Sequence, residues 1–191
     1  MTDRAAINSS KYSGNVAKWG EQVKKWGFRA VIAAVFFLAG LYIAAPMVQA
    51  RQASFLPQAY LSLPLGTMSI SNGEEVGALL PVRMADTSQA RSQGFSGVGE
   101  RAMEQDFLLY TLTRPTTSRA TYSTTGFQAP TDFAVVDAEG AVVAIHRTSI
   151  GVERLAVAEP HRWLLAAKAG LLEQMGIVTG STIDPETIRK F

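Results

Sequence analysis

Asp132 and His146 are the polar side chains best placed to do chemistry in this chain. With one of its many serines they would supply the acid, base and nucleophile of a hydrolytic triad, but no local spacing specifies which serine. His146-Arg147 closes an apolar strand and His161-Arg162 follows Pro160. The plain alternative is a pair of end-of-strand histidines, with Asp132 orienting a loop through hydrogen bonds. Asp132 and Asp137 lie five apart, so a regular strand points them to opposite faces and disfavours a paired-carboxylate site. Asp137 before Gly140 reads as turn chemistry.

Other chemistries are narrowed by composition. The chain has 2 histidines and no cysteine, which excludes thiol nucleophiles, thiolate metal sites and cysteine-linked haem. No HExxH spacing is present, and no cofactor is expected. Gly94-Phe95-Ser96-Gly97-Val98-Gly99 is neither GxGxxG nor a lysine-bearing phosphate loop, and Val98 rules out a nucleophile elbow. It reads as a flexible turn. Arg114, Arg119, Arg147, Arg154 and Arg162 offer an anion-binding face, weighed against a solvated face of mixed charge.

The elements that must position these residues are short. Thr67–Ser71 alternates, Asn72-Gly73 is a strong hairpin signal, and Val76–Met84 is the returning strand, with Pro81 marking an edge or bulge. Asp86, with Gln89 three residues on, is the expected cap of a short helix that Gly94 ends. Phe107–Leu112 and Phe133–Val136 read as strands, and Ala141–Ile145 as the hairpin mate of the latter. Residues 113–126 read as a polar loop or edge strand. Trp163–Ala167 is a further apolar run, Gly170–Met175 one or two helical turns, and Ile183 the centre of a last strand. Many short strands with two short helices predict an α+β domain, mainly antiparallel and barrel-like.

Ahead of this domain stands Ala30–Val48, an uncharged apolar run. As a helix its length is about 28 Å, close to the hydrocarbon thickness of a bilayer. Before it lie six basic residues against two acidic ones, a net +4, and from Arg51 onward the balance is −2. The positive flank predicts a cytoplasmic amino terminus and an extracytoplasmic domain at the inner (cytoplasmic) membrane. The high pI therefore argues for lipid headgroups, not nucleic acid. Val48-Gln49-Ala50 also fits a signal-peptidase site. A retained anchor is favoured over a cleaved signal on length.

Four segments follow: a basic amphipathic segment 1–28, a transmembrane helix 29–50, a linker or membrane- and partner-packing segment 51–66, and the α+β domain 67–191. Trp19 and Trp26 share a helical face with Val16 and Val23. With Phe36, Phe37, Tyr42, Phe55 and Tyr60 they are the expected membrane or partner contacts.

Three stretches together resemble a known family. They are Val82-Arg83-Met84-Ala85-Asp86-Thr87 with Gln93-Gly94-Phe95; Pro130-Thr131-Asp132-Phe133 through Val143; and Ala169-Gly170 with Met175-Gly176-Ile177 and Gly180-Ser181. The family is domain of unknown function 192, small exported or membrane-linked domains, and the resemblance covers roughly 67–184. It implies no activity. Relatives carry an aromatic-Met-Lys-Asn-Thr stretch where this chain has Tyr122-Ser123-Thr124-Thr125-Gly126-Phe127, and a Met-Phe-Arg where it has Ser96-Gly97-Val98-Gly99. The resemblance thus implies a kept fold and an altered surface.

The expected function is a non-catalytic, membrane-anchored interaction module, an accessory or assembly subunit whose partners are the lipid bilayer and other membrane subunits. The alternatives are an envelope enzyme or small-ligand binder using Asp132 and His146, or a secreted periplasmic protein if cleaved after Ala50.

Overall fold

The computed structural model describes residues 52–73 and 77–191. The expected amphipathic segment, the apolar run and its contacts Trp19, Trp26, Phe36, Phe37 and Tyr42 lie outside the described residues. No helix among the described residues is long and apolar enough to cross a membrane.

Seven strands form one sheet. In chain order the elements are α1 (Gln58–Leu61), β1 (Leu65–Ser71), β2 (Ala78–Ala85), α2 (Ser88–Gln93), a 3-10 turn (Ala102–Glu104), β3 (Leu108–Thr111), β4 (Ala120–Ser123), β5 (Thr131–Val136), β6 (Val142–Thr148), β7 (Arg154–Val157), β8 (Trp163–Lys168), α3 (Leu171–Gln174) and β9 (Thr182–Lys190). The sheet order is β6-β5-β8-β3-β2-β1-β9, and β4 pairs with β7 in a separate ribbon. Every pairing is antiparallel except β2 with β3. That parallel pair needs a crossover, which the long stretch through α2 and the 3-10 turn supplies.

Strand alternation builds a core on each face. Met68, Ile70, Leu80, Val82, Met84, Leu109, Ala134 and Leu165 pack with Leu172 and Ile177 on one side. Ala85, Leu108, Tyr110, Phe133, Val135 and Leu164 face the other way, under Tyr60, Phe95, Met103, Tyr122, Phe127, Leu155 and Val157. β5 and β8 are buried on both faces, which explains their near-continuous apolar sequences. β6, at the edge, alternates.

The expected barrel does not close. The sheet curls until Ala141 bridges Thr182, with the Val142 N–H donating to Ser181 O at 2.8 Å and the Ile183 N–H to Gly140 O at 2.7 Å. Beyond this bridge β6 and β9 remain edges. Gly140 makes the approach possible. Its φ is +94°, and a Cβ would overlap the Ile183 carbonyl oxygen.

Several expectations need correction. α2 is capped by Thr87, whose hydroxyl accepts the Ala90 N–H at 3.1 Å, not by Asp86, which pairs with Lys190 at 3.0 Å. Pro81 lies in an interior strand, but β3 reaches only Arg83–Ala85, so Pro81 has a ladder partner on one side alone. β7 had no sequence signal. The domain begins before residue 67, because α1 and the start of β1 belong to it. Tyr60 is fully buried rather than presented to a membrane or partner. Its ring lies 5.7 Å from Phe95 and under the Arg83 guanidinium at 4.9 Å, and its hydroxyl donates to Asp106 at 3.1 Å. Burial, then the Asp106 carboxylate, push that hydroxyl well above its ordinary pKa.

Candidate functional site

Asp132 and His146 sit on adjacent strands but do not meet. Asp132 is opposite Arg147 in the β5–β6 register, and Phe133 is opposite His146, so the two face different sides of the sheet. The buried Asp132 carboxylate accepts a fork from Arg147, Nε at 2.6 Å and Nη2 at 2.9 Å, and the Gly170 N–H at 2.7 Å. Those bonds to the carboxylate raise the Arg147 pKa. This carboxylate ties β5 to β6 and sets the entry to α3.

His146 pairs through Nε2 with Glu159 at 3.0 Å. The bond from His146 and then backbone N–H groups hold the Glu159 carboxyl below its usual range. Asp137 accepts N–H bonds from Glu139 (3.1 Å) and Ala141 (2.8 Å), the turn role its position predicts. Two of the candidate arginines have partners of their own. Arg147 serves Asp132, and Arg162 stacks on Trp163 at 4.8 Å.

His161 is the histidine the fold buries. Its Nδ1 lies 2.7 Å from the Glu159 carbonyl, which makes Nδ1 the donor and Nε2 the acceptor of the Tyr122 hydroxyl. Thr116 completes the shell at 3.1 Å from Nδ1. Burial pushes the Tyr122 hydroxyl up to about 12. Tyr110 meets Tyr122 edge-on at 5.9 Å, and its own buried hydroxyl has no hydrogen-bond partner among the described residues. No local spacing announces this pair, because its members are 39 residues apart and meet only when β4 folds over β8. Within residues 122–127, Tyr122, Thr124 and Phe127 are buried, whereas Thr125 and Gly126 are exposed.

One groove lies beside α1. Ala59, Ser62, Leu63 and Pro64 form one wall, Thr87, Gln89 and Gln93 the other, and the Asp86–Lys190 pair closes an end around about 310 Å³. The amides of Gln89 and Gln93, the hydroxyls of Ser62 and Thr87 and the Asp86–Lys190 pair are the polar groups that line it. Among the described residues no three His, Asp or Glu side chains gather as a metal site would require.

A curled seven-stranded sheet with cores on both faces, and polar side chains locked in structural pairs, defines a small α+β domain. The chain belongs to the domain of unknown function 192 family (DUF192, an uncharacterized ACR), whose model matches residues 69–185. No curated protein matches the chain. Among the solved structures that share the fold are two of note. A Sinorhizobium meliloti protein, proposed to be a transcription regulator, is 17% identical with a TM-score of 0.57, covering 64% of this chain and 95% of its own. A Novosphingobium aromaticivorans protein of unknown function is 19% identical with a TM-score of 0.50, covering 63% of this chain and 83% of its own.

Proposed function

We propose that the protein is a membrane-anchored extracytoplasmic interaction module, a non-catalytic accessory or assembly subunit of a membrane complex. The apolar run with its positive flank supports the anchor and its orientation. The observation that carries the interaction role is an uncovered sheet face. Leu65, Leu79 and Pro81 point away from the Met68–Leu80 core, paired across the strands with Arg83, Ser69 and Thr67. Leu79 is 69% exposed, and Phe191 (82% exposed) bonds through its N–H to Leu65 O. The cover over this face stops where Tyr60 meets Arg83. Contiguous exposed apolar surface of this kind marks interaction sites.

The test is a mild-detergent pull-down of the full chain with intact mass of everything recovered. A stoichiometric membrane partner, retained by the native chain and lost on Leu79→Asp without loss of folding, is the expected result. A lone chain overturns it. The groove beside α1 favours a second reading, a small-ligand binder of the envelope. That reading would use the groove, not Asp132 with His146. A mature mass beginning at Arg51 would instead establish a secreted protein.

A further inference from the structure

The chain is fastened to the domain from Gln52 onward. The Arg101 N–H donates to Ala53 O and the Gly99 N–H to Phe55 O, both at 2.8 Å. A Cβ on Gly99 would overlap the Gln52 and Ala53 carbonyl oxygens, and Pro57 lies against Gly97. The apolar run ends at Val48, so only Gln49, Ala50 and Arg51 separate it from this fastened segment. Those four peptide steps reach at most about 14 Å. A domain of this size is roughly 35–40 Å across. The headgroup layer alone occupies about 5–8 Å on each side. A span ending at Val48 therefore brings the surface around Gln52–Phe55 to the headgroups. That surface shows an aromatic ring, Phe55, 56% exposed, and Leu61, 44% exposed on the outward side of α1. Arg101, also exposed, is held through its N–H to Ala53, two residues from Phe55. An aromatic ring with a neighbouring cation suits the membrane interface.

We infer that the domain is docked on the bilayer through the surface carrying Phe55 and Leu61, rather than swinging on a free linker. This rests on the membrane-anchor reading. It assigns Phe55 to lipid, places Tyr60 behind it as the support that orients α1, and leaves the Leu79 face turned to other proteins.

The absence of cysteine makes the test direct. Phe55→Cys, Leu61→Cys, Phe37→Cys and Glu139→Cys are each labelled with an environment-sensitive fluorophore. The full chain is then reconstituted in vesicles containing phospholipids brominated on the acyl chain. Glu139 is the reference. It lies in the turn past one end of β5, whereas the other end pairs with Lys168, which holds Glu100 at 3.0 Å beside the fastened segment. β5 places about 20 Å between them. Loss of fluorescence at positions 37, 55 and 61 but not at 139 is expected. Quenching at 37 alone overturns the docking and leaves the anchor standing. No quenching at 37 overturns the anchor and the docking with it. Matching thermal unfolding of all four labelled chains establishes that each is folded.

Discussion

Arg147 grips Asp132 across β5 and β6 with two bonds of 2.6 and 2.9 Å, although the guanidinium is 60% exposed and the carboxylate is buried. The same carboxylate holds the first turn of α3 through the Gly170 N–H. A buried anion kept by one exposed cation and one amide is a structural clamp. Asp132→Asn is expected to cost about 2 kcal/mol, within the range for hydrogen bonds to charged groups. Arg147→Ala should cost less, because water can reach the vacated site. Urea unfolding of both variants checks the order. Asp132→Asn at native stability would return Asp132 to the list of functional residues.

Tyr122 and Tyr110 touch, yet their hydroxyls should behave oppositely. Tyr122→Phe strands the buried Nε2 of His161 and is expected to destabilise by about 1–3 kcal/mol. Tyr110→Phe removes a hydroxyl that already has no partner and should be neutral or slightly stabilising. Thermal melts of the two variants distinguish them.

Gly99→Ala should free the segment that leads into the domain. The methyl would displace the Gln52 and Ala53 carbonyls and break the bonds from Gly99 and Arg101. Amide exchange at Gly99 and Arg101 is expected to accelerate, with global stability lowered by about 1–3 kcal/mol. Unchanged exchange at both amides would show that the segment is not fastened there.

The pair His146–Glu159 sets an acid limb. The folded-state carboxyl of Glu159 is depressed, so its stabilisation is complete above the ordinary carboxyl pKa of about 4.3 and is lost as pH falls through the lower folded value. Both side chains are about a third exposed, which limits the effect to about 0.5 kcal/mol. Native chain and Glu159→Gln should differ by that amount at pH 6 and converge near pH 3 in urea titrations. A gap that persists at pH 3 would assign the effect to packing.

Much of the framework was open to inspection in the linear chain, because it is written in neighbours. Asp137 and Gly140 turn β5 into β6, Gly94 ends α2 with φ +48°, and the Asn72-Gly73 signal falls between β1 and β2, whose pairing begins at Ile70 and Ala78. The family resemblance, too, lay in three ordered local stretches. Alternation and turn chemistry act over a few residues, so a few residues reveal them.

What the residues do required long-range contact. Tyr60 and Phe55, five apart in one apolar segment, differ only because Phe95, Arg83 and Asp106 arrive to enclose Tyr60. Asp132 and His146 suggested one site until the β5–β6 register turned them to opposite faces. β7 became a strand by pairing with β4, and Tyr122 found His161 through that same ribbon. The sheet stopped short of a barrel because a single bridge at Ala141 and Thr182 joins its edges. Sequence by itself determined most of the strands and turns, the family resemblance and the apolar run. Tertiary structure decided which polar groups are buried and paired, since burial depends on which distant side chains close over them.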